Sequence, residues 1–419
     1  MYGLVLEGGG AKGAYQIGAC KAMQELGISY GAVAGTSIGA LNGAMIVQDE
    51  LDKAYELWYE MSPSKVFDIE EVRLEELKKL DISHDGLLYY MKKTKEIASS
   101  KGLDITFIKK LLQEIVDEDK LRESKMLFGF TTVSLSDMKP MEFFLEDVPK
   151  GKVVEYLLAS SNLPAFQQEK IDGKHYLDGG FYDNLPLNML VGKGFKEIIA
   201  IRTNALGRRR KLTDREVHVQ YISPAETLGS ILDFSNEQAR YHLELGYYDV
   251  IRQFRRLKGQ KYYIEPTGDE DFFIRMMLSL GEKKILALGE KLGFKGIPYR
   301  RMLYEYIIPK IAALLDMKKE TSYEEMVIAL LEFIALEQDI YRFRVYSFQD
   351  FLELVSTNLR EVKTKSSGEA FALPAFVKQS GVLPKMVKNL ILRELIRELF
   401  QEQNFAAAIL PNKNSQDIT

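Results

Sequence analysis

Along the first half of the chain, apolar positions come in short runs that stop at glycine. Leu4 to Leu6 is such a run, ended by Glu7 and three glycines; Ala11 to Leu26 then carries helical spacing and Gly27 stops it. The unit repeats as a second short run, Ala32 to Ala34, a turn, and a small-residue helical stretch, Ala40 to Val47. Further strands are expected at Met126 to Val133, Met141 to Leu145, His175 to Leu177 and Glu197 to Ile201, with helical patterns between several of them. Such alternation predicts an α/β layered fold. Leu51 to Met61 and Asp104 to Val116 read as amphipathic helices on or beside the sheet, and neither carries a chemical motif. From about Ala225 the pattern turns helical, over Ala225 to Leu257, Asp269 to Lys291, Tyr299 to Leu315, Tyr323 to Phe333 and Phe348 to Asn358. Lys261 to Glu265 is the exception, a strand candidate. Lys363 to Gly368 reads as a loop and Asn412 to Thr419 as a frayed polar tail.

A chain of 419 residues exceeds the size at which one core usually stops growing, so two packed regions are expected. With 46% hydrophobic and 28% charged residues the composition is globular and excludes a disordered chain. The formal net charge of -4 offers no general attraction to phosphate backbones, so nucleic acid is not an expected partner. A single cysteine, Cys20, excludes an intrachain disulfide and a cysteine zinc cluster, which suits a reducing, cytoplasmic setting. No export signal is visible, and Gly31 to Ala40 and Ile307 to Leu315 fall short of the roughly 20 residues of a membrane span. Membrane contact is therefore expected only at the periphery.

The first chemical signal is Gly8-Gly9-Gly10-Ala11-Lys12-Gly13, between a strand and a helix. Such a loop aims several backbone N–H groups at one spot, where the helix dipole adds positive potential, and it suits an anion. The same letters satisfy the dinucleotide fingerprint, but that reading wants an acidic residue after the second strand, where Gly35, Thr36 and Ser37 stand. A P-loop is excluded because Gly13 is followed by Ala14 and Tyr15. The second signal is Gly35-Thr36-Ser37-Ile38-Gly39, the G-x-S-x-G of a nucleophile elbow, in which a sharp turn exposes a serine at a helix N-terminus.

A serine hydroxyl needs a base. His84, His175, His218 and His242 all read as ordinary packing or surface residues. Asp178, in Leu177-Asp178-Gly179-Gly180, ends a strand candidate at the sheet edge where α/β sites collect; an Asp-Gly turn is the bland alternative.

Together these three motifs, in this order, resemble the patatin-like phospholipases. Leu158-Ala159-Ser160-Ser161, Leu163-Pro164-Ala165-Phe166 and Tyr182-Asp183-Asn184-Leu185-Pro186 look like the family's flanking segments. The resemblance covers about Met1 to Thr203 and extends more weakly through Asp233 to Tyr248. It implies a three-layer α/β fold with a mainly parallel sheet, residues 1–265 forming the catalytic domain and 266–419 a mostly helical region of open role. It further implies a lipid acyl hydrolase that works without metal or cofactor. Ser37 would attack the ester carbonyl while Asp178 takes its proton directly, and water would clear the acyl-enzyme. The oxyanion hole would be Gly8, Gly9, Gly10, Ala11, Lys12 and Gly13, with N–H donors around Gly9, Gly10 and Ala11. Gly35, Gly39, Gly179 and Gly180 would support the motifs. A carboxylate of ordinary pKa, about 4, is a feeble base, so the dyad is expected to be partly buried.

The same dyad could run acyl transfer or thioester hydrolysis, and the fold could serve a lipid-binding regulatory protein with little turnover. Phe272 to Leu280 reads as core, with an acyl groove as the alternative. Arg208-Arg209-Arg210-Lys211 reads as a solvated loop, with attraction of anionic head groups as the alternative. Cys20 and Trp58 are expected to pack.

Overall fold

A computed structural model of the protein describes residues 1–65, 106–163, 166, 170–278, 280–318, 320–362, 388–389 and 391–393. They fall into two compact units, Met1–Phe254 and Arg255–Thr419.

The first unit is a three-layer α/β fold. Its sheet runs in the order β4-β3-β2-β1-β6-β7, formed by β1 (Tyr2–Leu6), β2 (Tyr30–Thr36), β3 (Leu127–Ser134), β4 (Lys139–Phe144), β6 (Glu197–Ile201) and β7 (His218–Ile222). A short β5 (Tyr176–Asp178) adds to β3. β3, β2, β1, β6 and β7 are parallel, while β4 and β5 run antiparallel to β3. Alternate residues serve opposite layers. Val5, Ala32, Ala34, Ile198 and Ala200 bury one face against Leu187, Met189 and Leu190. On the other face Leu6 and Val33 reach Gly43 of the helix Ile38–Val47. The edge strand β7 escapes hydrophobic patterning because His218 and Tyr221 are exposed.

Among the described residues of the second unit most are helical, and a pair of short strands, β8 (Tyr263–Glu265) and β9 (Val345–Ser347), run parallel. This pairing, with Tyr262 and Ile264 fully buried in the second core, explains why the division falls at Phe254 and Arg255, ahead of residue 265. The expected helix Asp269 to Lys291 is two, Glu270–Leu278 and Glu282–Lys291, with Gly281 at φ 72° between them. The helix expected from Ala225 starts only at Asn236, leaving a loop that returns to the glycine-rich turn. The apolar run from Phe272 is core: Phe273, Met276, Met277 and Leu280 are buried within this unit. Among the described residues no helix is long and apolar enough to cross a membrane. Lys363 to Gly368 and Asn412 to Thr419 lie outside the described residues, as do Pro164 and Ala165.

Candidate active site

Register brings Ser37 and Asp178 together. β2 accompanies β3 as far as the Thr36 and Thr131 pair, and β5 takes over at the next rung, where Thr132 faces Asp178. The residue after β2 and the last residue of β5 therefore meet. Thr36 Oγ1 donates to the Asp183 carbonyl at 2.8 Å, which ties the end of β2 to the segment after Asp178.

Ser37 caps the helix Ile38–Val47 at φ 55° and ψ -126°, a conformation that costs a non-glycine residue about 1–3 kcal/mol. The turn fits only because its flanking glycines lack side chains. A Cβ on Gly35 would lie 2.2 Å from the Gly39 carbonyl oxygen, and one on Gly39 would lie 2.3 Å from that of Leu6. The Ser37 N–H donates to Ser160 Oγ at 3.0 Å, and the Ser37 carbonyl accepts from Ala40 and Leu41. Asp178 is 4% exposed and takes the Gly180 N–H at 2.7 Å. Burial pushes its pKa up to about 6, against the pull of hydrogen bonds from the Ser37 hydroxyl and the Gly180 N–H. Asp183 is raised to about 6 as well, mainly by burial; the N–H groups of Arg210 and Leu185 oppose that shift.

The glycine loop is narrower as a donor set than its letters suggest. The Ala11 N–H donates to Ile231 at 2.7 Å, the Gly8 N–H to Asn184 at 3.0 Å, and the Lys12 N–H to Gly9 at 3.2 Å. Gly13 returns its N–H to Gly10. Among the described residues the N–H groups of Gly9 and Gly10 have no such acceptor, so Ala11 leaves the expected trio. Glu7, fully buried, braces the loop: Oε2 accepts from the N–H groups of Thr203 and Asn204 at 2.7 and 2.9 Å, and Oε1 pairs with Arg209 at 3.1 Å. Burial lowers the pKa of Lys12, while nearby Glu7 raises it.

A cavity of about 460 Å³ opens over Ser37 and Asp178. Gly9, Gly10, Lys12 and Asn184 form its polar end, and Leu41, Met45, Trp58, Met61, Phe166 and Phe234 much of its apolar wall. Both amphipathic segments without a motif contribute: Ala54, Leu57 and Trp58 from Leu51–Tyr59, and Ile108, Leu111, Leu112 and Ile115 from Thr106–Ile115. Their apolar stripes were legible, but their target was not. Trp58 stacks on Phe234 at 6.2 Å and donates Nε1 to Asn42 Oδ1 at 3.0 Å, so it both packs and lines the cavity. Cys20 is fully buried, as expected.

Among the described residues no histidine lines the cavity. His218 is exposed beside Glu197, and His84 lies outside the described residues. His242 is buried near the glycine loop; burial and the Lys12 cation push its pKa down to about 4, which keeps it neutral near pH 7. Of the basic run, expected as a solvated loop, Arg209 and Arg210 are partly exposed and held in ion pairs with Glu7 and Glu142.

Residues 4–191 match the family model described as Patatin-like phospholipase. The chain is 28% identical over 339 residues to Patatin-like phospholipase domain-containing protein ZK370.4 of Caenorhabditis elegans, covering 76% of this chain and 22% of that protein. It is 29% identical over 285 residues to Lysophospholipase nte1 of Aspergillus terreus, covering 64% and 17%. Against Neuropathy target esterase sws of Drosophila melanogaster the identity is 28% over 279 residues, covering 64% and 18%. The chain spans about a fifth of the length of these curated relatives.

Proposed function

We propose, for a chain that belongs to the patatin-like phospholipase family through residues 4–191, that it hydrolyses carboxylic esters of lipids by a Ser37 and Asp178 dyad. The observation that carries this reading is a strained serine hydrolase-type turn with its hydroxyl against a buried carboxylate, at the polar end of an apolar cavity. The relatives named as lysophospholipase and esterase agree with it.

In the first half-reaction the Ser37 hydroxyl oxygen attacks the ester carbonyl carbon and Asp178 accepts the proton. The alcohol departs with that proton, leaving Ser37 acylated. In the second half-reaction water attacks the acyl carbon, Asp178 again takes the proton, and the fatty acid leaves as Ser37 is restored. The N–H groups of Gly9 and Gly10 would meet the oxyanion; one such donor contributes about 3 kcal/mol in comparable enzymes. Burial makes Asp178 a better base than a solvated aspartate without tying it to a histidine. The apolar wall would take the acyl chain, and a cavity of about 460 Å³ is of the size that holds a small organic ligand.

The test is hydrolysis of p-nitrophenyl esters of graded chain length and of lysophospholipid, with EDTA present, by wild type, Ser37→Ala and Asp178→Asn. Loss of about 10⁴-fold in both variants supports the dyad. An active Asp178→Asn removes the base assignment, and an inert wild type removes the hydrolase reading.

A further inference from the structure

Two adjacent serines stand at the end of the helix Val153–Ser160 and spend their hydroxyls differently. Ser161 Oγ donates back to the carbonyls of Leu157 and Leu158, both at 3.3 Å, the kind of local bond a serine commonly makes to its own helix. Ser160, fully buried, instead accepts the Ser37 N–H, 123 residues away in the chain, at 3.0 Å. Among the described residues that is the hydroxyl's one hydrogen bond. Ser160 is also absent from the cavity wall, to which its neighbours Ser161 and Leu163 belong.

The segment that carries Ser160 is tied to the base as well. Thr132 Oγ1, fully buried on β3, is shared between the Ala159 carbonyl at 2.9 Å and the Leu177 carbonyl at 2.8 Å, the residues just before Ser160 and just before Asp178. The Asp178 N–H donates to the Asn162 carbonyl at 2.9 Å, and Asn162 Nδ2 donates to the Tyr176 carbonyl at 3.0 Å. Residues 159–162 thus form a yoke that grips the nucleophile through Ser160 and the strand of the base through Ala159 and Asn162. Ser37 needs such a grip. At φ 55° a serine keeps its strained backbone only where the surroundings over-determine it, and a buried N–H left without an acceptor would push the turn to relax.

We propose that Ser160 is a positioning residue for acyl transfer: its hydroxyl oxygen anchors the Ser37 N–H, holds the elbow in its strained form and fixes the nucleophile relative to Asp178. This rests on the ester-hydrolase reading above and adds to it a group that does not touch substrate. Because the Ser37 N–H is occupied, the oxyanion is left to the donors of the glycine loop.

The test is single-turnover release of p-nitrophenol from a long-chain ester, with protein in excess, by wild type, Ser160→Ala, Ser160→Cys and Ser37→Ala, at a temperature where melting curves show each chain folded. The design separates the acylation rate at saturation from the half-saturating concentration. In Ser160→Ala the rate is expected to fall about tenfold or more, since about 1 Å of misplacement suffices for that, while half-saturation stays within about twofold of wild type. An unchanged rate in the folded variant reduces the bond to packing and overturns the inference. So does a shift in half-saturation with the rate retained, which would make Ser160 a binding residue. Should Ser160→Ala fail to fold, the same split in Ser160→Cys decides, because a thiol of similar size is only a weak acceptor. Release from Ser37→Ala at the wild-type rate would instead sink the hydrolase reading itself, an outcome distinct from an unchanged Ser160→Ala beside a dead Ser37→Ala.

Discussion

The buried glutamates of the second unit are more fully compensated than Asp178 of the first. In the second, Glu332 is 4% exposed and clasped by the N–H groups of Gln260, Lys261 and Tyr262 at 3.1, 2.7 and 2.7 Å. Glu324, equally buried, takes the N–H and hydroxyl of Thr267. In the first, Asp178 has one backbone donor, faces a serine hydroxyl and opens on a cavity. Burial of a charge therefore does not mark a site by itself. What distinguishes Asp178 is incomplete compensation next to a strained nucleophile, the pattern expected where local rules are broken for function.

The comparison breaks first at the elbow. Gly39→Val should cost a hundredfold or more in ester turnover, since about 1 Å of misplacement suffices for that, because its side chain would press on the Leu6 carbonyl; steady-state rates of the folded variant check it. Neutralising Asp178 should stabilise. A carboxyl whose pKa rises on folding favours the native state below its unfolded value near 3.8 and loses that contribution as pH climbs through about 6. Asp178→Asn should thus gain up to about 3 kcal/mol over wild type at pH 8 and nothing at pH 3.5, measured by urea unfolding. Removing the clasped carboxylate should do the reverse: Glu332→Ala should lose about 2 kcal/mol by leaving its backbone donors unpaired, and leave the turnover of the folded protein unchanged. The smallest effect is on pH. Turnover should fall about tenfold per unit below pH 6 as Asp178 protonates, and level off above; a flat profile down to pH 4.5 would deny Asp178 the role of base.

Local chemistry made much of the first unit legible. Glycines that end apolar runs located β1, β2 and the two turns, and Glu197–Ile201 is the strand its five apolar-rich residues announced. Long-range geometry was hidden. That β5 replaces β2 beside β3 depends on register, which no local pattern carries. Which N–H groups of the glycine loop remain open depends on Ile231, more than two hundred residues away. Amphipathic stripes in Leu51–Tyr59 and Thr106–Ile115 announced a buried face but could not say that a cavity, not the sheet alone, lay beneath it. In the second unit Gly281 broke a helix that periodicity ran together, because both halves keep the same apolar spacing.

The central claim is acyl transfer to Ser37, and the most direct measurement is the intact mass of wild-type protein quenched rapidly after mixing with a long-chain p-nitrophenyl ester. One acyl group per chain should appear, mapped by peptide mass to the peptide holding Ser37 and absent from Ser37→Ala. Turnover with no adduct at any quench time, or an adduct on another residue, would contradict the dyad.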